Sequence, residues 1–195
     1  TLIASFVKTL KSLKIKPVLL APTGRAAKVM ARYTGEKALT IHKRIYRQRT
    51  LASEEARFSL DINREKDACF VVDEASMLSN YASDNDMFGS GSLLDDLVRY
   101  VREGVRCRLV LVGDDAQLPP VGHDRSPALD PGHMEGYGPV EYVSLDEVVR
   151  QEVDSGILFN ATMVRCMLEA GIYEPPLFEM SYPDVKAIDG SEFME

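Results

Sequence analysis

Hydrophobic residues in this chain follow two rhythms. Leu2, Ile3, Phe6, Val7, Leu10 and Leu13 recur at helical spacing and predict an amphipathic helix over residues 1 to 14. Pro17-Val18-Leu19-Leu20-Ala21 is a short unbroken apolar run, broken by Pro22-Thr23-Gly24, and predicts a buried strand. A second helix follows, with Ala26, Ala27 and Met30 available for packing. Thr40 is placed to cap a short helix that carries Ile41 and Ile45 inward. Residues 47 to 67 are polar; Arg57-Phe58-Ser59-Leu60 alternates as a strand does, but a loop fits equally well. Cys69-Phe70-Val71-Val72 and Leu109-Val110-Leu111-Val112 are further continuous runs. Such runs suit strands buried on both faces, as in a parallel sheet.

Between those two runs lie an acidic, Gly/Ser-rich loop (Asn80 to Gly91) and a helix. Ser92 and Asp95 form a capping-box pattern that opens the helix, and Leu93, Leu94, Leu97, Val98 and Val101 continue it to Gly104. Gly122 to Gly138 is rich in Gly and Pro and is expected to be irregular. Val140 to Val143 predicts a further strand, and Ser144 with Glu147 opens another short helix. Ile157, Leu158, Ala161, Val164 and Leu168 share a helical face that stops at Gly171; the tail from Tyr173 onward shows no clear core. Strands alternate with helices, which defines an α/β class with a parallel sheet.

Composition narrows the class. The 195 residues suffice for one α/β domain with part of a second. Hydrophobic content of 45% with 27% charged residues is ordinary for a soluble globular chain. No apolar run approaches the ~20 residues needed to cross a bilayer, so no membrane partner is expected. The first residues form an amphipathic helix pattern and not a signal peptide. Cys69, Cys107 and Cys166 are scattered, which suits a reducing, cytoplasmic setting and neither a disulfide framework nor a zinc site. His42, His123 and His133 form no ligand cluster either.

Charge changes the picture. The net charge of −7 argues against a nucleic-acid partner, but its distribution argues for one. Residues 24 to 49 hold eight basic residues (Arg25, Lys28, Arg32, Lys37, Lys43, Arg44, Arg47, Arg49) and one acid, Glu36. This gives +7 locally and leaves −14 for the rest. Such asymmetry marks a nucleic-acid contact or, equally, a solvated helical face.

Chemistry centres on Asp73 and Glu74, which follow the apolar run ending at Val72. Ligands of open α/β sheets sit outside the carboxyl ends of the strands, where these acids would stand. Phosphoryl transfer to water needs a carboxylate to hold hydrated Mg²⁺ and a second group to orient the attacking water. Alone, the pair is also an ordinary acidic strand end.

Three segments taken together sharpen this. They are Leu20-Ala21-Pro22-Thr23-Gly24-Arg25-Ala26-Ala27-Lys28 followed by Thr40-Ile41-His42; Val72-Asp73-Glu74-Ala75-Ser76-Met77; and Val112-Gly113-Asp114-Asp115-Ala116-Gln117-Leu118-Pro119-Pro120-Val121. In this order and spacing they resemble motifs Ia, Ic, II and III of superfamily 1 helicases, nearest to the 5′→3′ branch related to the exonuclease V alpha subunit. Val149-Arg150-Gln151, followed by Asp154-Ser155-Gly156-Ile157, resembles that group's motif IV. The resemblance covers roughly residues 1 to 170. The Gly-Asp-x-x-Gln-Leu-Pro-Pro-Val string is its most specific part.

The resemblance implies a fold and a set of roles. Residues 1–144 would be a first RecA-like domain of P-loop NTPase type, with 47–67 as a short pin insertion, and 145–195 the start of a second. ATP and Mg²⁺ would be the cofactors. Asp73 would hold Mg²⁺ through water, Glu74 would orient and deprotonate the hydrolytic water, and Gln117 would sense the γ-phosphate. Arg150 would act as an arginine finger from across the cleft. Pro22, Thr23, Arg25, Thr40 and His42 would touch single-stranded DNA. Phe58 would either present an exposed ring at the pin or pack into the core. The implied activity is ATP-driven 5′→3′ movement on single-stranded DNA, with repair or recombination proteins as partners by kinship. An RNA-directed motor, or a nucleic-acid-binding module without ATPase activity, are the rival readings. The family places a Gly-rich loop ending Gly-Lys-Thr before its first helix, whereas this chain starts at Thr1-Leu2-Ile3. It is therefore expected to be a fragment of a larger helicase, inactive as an ATPase by itself.

Overall fold

The computed structural model describes residues 2–49, 57–81, 88–145 and 155–189. The chain divides into two compact units, residues 1–142 and 143–195. The first opens with α1 (Leu2–Ser12), β1 (Lys16–Ala21), α2 (Gly24–Thr34), β2 (Ala38–Thr40) and α3 (Ile41–Ile45). A hairpin of β3 (Tyr46–Arg49) and β4 (Arg57–Leu60) comes next, then β5 (Ala68–Val72), α4 (Leu93–Glu103), β6 (Arg108–Leu111) and α5 (Pro131–Glu135).

Four strands form a parallel sheet in the order β2-β1-β5-β6. All five residues of β5 are buried, because it has a strand on each side and helices on each face. Side chains alternate across a strand. Cys69 and Val71 therefore meet one layer, with Ile3, Val7 and Leu10 of α1 and Met30 of α2. Phe70 and Val72 meet the other, with Ile41 and Ile45 of α3 and Leu94, Leu97, Val98 and Val101 of α4. Local chemistry sets the helix ends. Thr23, Thr40 and Ser92 cap α2, α3 and α4 by accepting from Ala26 N, Lys43 N and Asp95 N. Gly35, at φ 73°, closes α2 with its N–H on Ala31 O.

The hairpin is tied to α4 by a buried carboxylate. Asp96 accepts from Tyr46 Oη at 2.7 Å and from Ser90 N at 2.9 Å. Between those partners, Gly89 donates its N–H to Phe58 O at 2.8 Å. A Cβ on Gly89 would lie 1.9 Å from Asp96 Oδ2, so only glycine passes there.

Several expectations are corrected. β6 is an edge strand and half-buried, because among the described residues no strand pairs along its far side. Val140 to Val143 form no strand, and Tyr142 and Val143 are exposed. The Gly122–Gly138 stretch is less irregular than its composition implies, holding a 3₁₀ turn (Pro127–Leu129) as well as α5. Leu2 and Leu13 face solvent at the ends of α1. β2 and β3 had no signal of their own: three or four residues hold an extended shape only through pairing with β1 and β4.

In the second unit, α6 (Gly156–Glu169) starts at Ser155, whose Oγ accepts from Leu158 N and donates to Asp184 Oδ2 at 2.7 Å. These contacts, with Gly156 N, hold the Asp184 carboxyl below its usual range. Asn160 is bonded to both Glu179 N and Glu179 O. The tail, expected to lack a core, is thus fastened along α6. Arg150, the segment around it and most of the helix predicted from Ser144 lie outside the described residues.

Glu65, just ahead of β5, is a polar tie between elements of the first unit. Its carboxylate accepts from Lys16 Nζ at 2.7 Å and from an Arg44 guanidinium nitrogen at 2.6 Å. Burial alone would raise its pKa, but the hydrogen bonds from Lys16 and Arg44 outweigh this and hold it below the usual value. A depressed pKa adds stability that is complete above the unfolded value of about 4.3 and fades as pH falls through the folded one. Glu65→Gln should cost about 1–3 kcal/mol at neutral pH, with the gap to wild type narrowing below about pH 4.3. Urea denaturation across pH checks this; a gap that does not change with pH would deny the ionic contribution.

Candidate functional site

The carboxyl ends of all four parallel strands open on one rim. β1 leads into Pro22-Thr23, β2 into α3, β5 into Asp73-Glu74, and β6 into Gly113-Asp114. A rim of this kind is where an open α/β sheet binds ligands.

Asp73 extends the β5 ladder by one residue, with its N–H on Leu20 O at 3.0 Å. Its Oδ2 accepts from Tyr33 Oη at 2.7 Å, and its Oδ1 from Glu74 N at 3.1 Å. Each oxygen keeps a lone pair for a further donor or a hydrated cation. Tyr33 comes from the last turns of α2, three residues after buried Met30. Sequence reasoning missed it: a tyrosine on the packed side of a helix carries no signal of what its hydroxyl meets.

Glu74 sits at φ 56°, ψ 39°, the left-handed region that side chains with a Cβ rarely enter. The turn sends Ala75 N back to Val112 O at 2.9 Å and starts a 3₁₀ turn over Ala75–Met77. Glu74 is half-buried, and among the described residues its carboxylate accepts no hydrogen bond and joins no ion pair. Strain of this sort, about 1–3 kcal/mol, persists only where surrounding contacts enforce it.

Gly113 supplies that enforcement from β6. A Cβ there would lie 3.0 Å from Ser76 N and 2.9 Å from Leu129 Cδ1. The glycine lets the two loops touch backbone to backbone, and Ser126 Oγ completes the seam by donating to Ala75 O at 3.2 Å. Beyond it, Asp114 to Gln117 form a tight turn, with Gln117 N on Asp114 O at 3.2 Å. Gln117 is exposed, and no hydrogen bond joins its amide to Asp73 or Glu74 among the described residues.

At the other end of the rim, Thr23 and Thr40 use their hydroxyl oxygens as helix caps. Their O–H groups can still donate. Arg25, Lys28 and Arg32 stand exposed on α2, without ion pairs among the described residues. Arg44 and Arg47 of the basic segment are already engaged, by Glu65 and Asp61. His42 is half-buried, edge-on to Phe88 at 5.1 Å and tilted against Tyr46 at 5.7 Å. The Phe58 ring is not left standing free: it stacks on Phe88 at 4.6 Å against the core of the first unit. Phe88 had no sequence signal, because it follows a polar loop and is distant along the chain from its partners.

A four-stranded parallel sheet flanked by helices on both faces has the architecture of a RecA-like domain. Residues 1–123 match the AAA domain family, and the chain belongs to it. That is a family of nucleotide-hydrolysing enzymes, whose domains generally bind nucleotide with Mg²⁺. No curated protein matches the chain. Among the described residues no helix is long and apolar enough to cross a membrane.

The loop seam predicts opposite outcomes at two glycines. Gly113→Ala should destabilise the first unit by about 1–3 kcal/mol, because backbone at Ser76 must move. Gly24→Ala meets nothing within 4 Å at the start of α2 and should be neutral or stabilising by up to about 1 kcal/mol. Denaturant melts of the two variants compare them; equal effects would remove the seam from the argument.

Proposed function

We propose that this chain is the first motor domain, with the start of the second, of an ATP-dependent DNA helicase or translocase of superfamily 1. Its nearest kin would be the 5′→3′ branch related to the exonuclease V alpha subunit. The observation that carries this reading is the common rim. Sequence segments resembling four helicase motifs leave four adjacent parallel strands at the same edge. Asp73 and Glu74 stand on the central strand, with the Gln117 loop on one side and the Thr23 and Thr40 segments on the other.

The donor set fits a hydrated divalent cation with a nucleotide. Asp73 is oriented by Tyr33 and retains acceptor capacity. Mg²⁺, when bound, would neutralise developing phosphate charge. Asp73 would hold it through water, and Glu74, the unpaired carboxylate, would take a proton from the attacking water. The exposed Gln117 amide, which both donates and accepts, would contact the terminal phosphate. Arg150 would approach from the second domain as a charge-neutralising guanidinium. Single-stranded DNA would lie along the other part of the rim. There the free N–H groups of Gly24 and Arg25 at the start of α2 can bond phosphate, with Arg25, Lys28 and Arg32 beside them. His42, held by Phe88 and Tyr46, would meet the strand next to Thr40.

Two experiments test this reading. In the complete motor, Glu74→Gln should lower DNA-stimulated ATP turnover by about a hundredfold or more while leaving nucleotide affinity near wild type. Normal turnover in that variant would remove Glu74 from the chemistry. Arg25→Glu combined with His42→Ala should weaken single-strand binding and flatten its salt dependence. Unchanged affinity across a salt series would move the nucleic-acid contact elsewhere.

A further inference from the structure

A second site lies on the same rim, outside every segment given a role above. The residues after the Ala75–Met77 turn meet the residues after the Gln117 loop around a cavity of about 280 Å³. Tyr81, His123, Arg125, Asn80 and His133 line it. Tyr81 and His123 are stacked, with ring centroids 4.0 Å apart and 21° between planes.

This pair is built by its surroundings. Ser79 holds both rings: its Oγ accepts from Tyr81 N at 3.0 Å and lies 3.0 Å from His123 Nε2. His123 N is fixed on Pro120 O at 3.0 Å. Gly122, at φ 85°, leaves the space the tyrosine ring uses, since a Cβ there would fall 3.2 Å from Tyr81 Cε2. Asn80 Nδ2 lies 3.3 Å from His133 Nε2, which orients the second imidazole. Despite this support, Tyr81 is 59% exposed. The arrangement organises a flat aromatic surface that is left open among the described residues of the first unit.

Charge beside the platform selects what could lie on it. Arg125 is exposed and makes no hydrogen bond or ion pair among the described residues. The acid in the lining, Asp130, uses its Oδ1 to cap α5, accepting from Gly132 N at 3.0 Å. An aromatic face next to a free guanidinium matches a planar ring joined to an anion, as in a nucleotide unit. The cavity is just below the usual range for small-molecule sites, so it admits one such unit and not a long segment.

We infer that Tyr81, His123 and Arg125 form a one-nucleotide subsite for single-stranded nucleic acid, with the base stacked on Tyr81 and its phosphate on Arg125. The inference rests on the helicase reading, extending the strand's path from the β1 and β2 ends of the rim to the β5 and β6 ends. The strand order places those ends about three strand spacings apart, roughly 14 Å, a distance a few extended nucleotides span.

The chain contains no tryptophan, so Tyr81→Trp places a single indole reporter on the platform. Oligo(dT) should quench its emission on saturation, and an oligomer with abasic sites should bind with little quenching. By anisotropy with the same oligomer, Tyr81→Ala should weaken binding roughly five- to a hundredfold and Tyr81→Phe should restore it. Arg125→Ala should weaken binding and reduce its salt dependence. Circular dichroism checks that the surface variants fold. Unchanged emission while oligo(dT) still binds in an Arg25- and His42-dependent manner overturns the subsite and leaves the helicase reading standing. Binding that ignores Arg25, His42, Tyr81 and Arg125 alike overturns both. Equal quenching by free dTMP at the same nucleotide concentration assigns the pocket to a small nucleotide and also overturns the proposal.

Discussion

The first unit depends on the burial of β5. Its five residues are shielded on both faces and hydrogen-bonded on both edges, so its backbone polar groups are satisfied without water. The pairing is parallel on both edges, and parallel sheets are covered on both faces by the helices that connect their strands. Phe70 and Val72 need α3 and α4 on one face, and Cys69 and Val71 need α1 and α2 on the other. The two layers are therefore one solution to a single desolvation problem.

Where β5 ends, the protection ends, and polarity becomes affordable. Asp73 still follows the ladder, while Glu74 turns into the left-handed region. Tight packing on one side and open rim on the other meet within two residues. The bend is held by Ala75 on Val112, by the absence of a side chain at Gly113, and by Ser126 on Ala75. A strained acidic turn clamped by backbone contacts can present its carboxylate without a side-chain partner to hold it. Preorganised polar groups of this kind suit chemistry at phosphate.

The same helical layer also joins distant segments. Asp96 on α4 receives Tyr46 from the hairpin and Ser90 from the preceding loop, and Phe88 joins Phe58 to His42. The hairpin is thereby attached to the helix that carries His42.

The sequence by itself determined the parts whose cause is local. Unbroken apolar runs marked β1, β5 and β6, Thr40 and Ser92 marked the starts of α3 and α4, and Asp73-Glu74 marked a strand end facing the rim. The spacing of its motifs also carried the kinship of the first unit to a nucleotide-hydrolysing domain. Only the tertiary structure decided what depends on residues far apart in the chain. Among the described residues it made β6 an edge by giving it a partner on one side only, and it took Arg44 from the basic segment by placing Glu65 against it. It brought Tyr33 to Asp73, Phe88 to Phe58 and His123 to Tyr81, separated by 40, 30 and 42 residues. Periodicity reports which face of an element is buried; the identity of the partner waits until two surfaces compete for the same space.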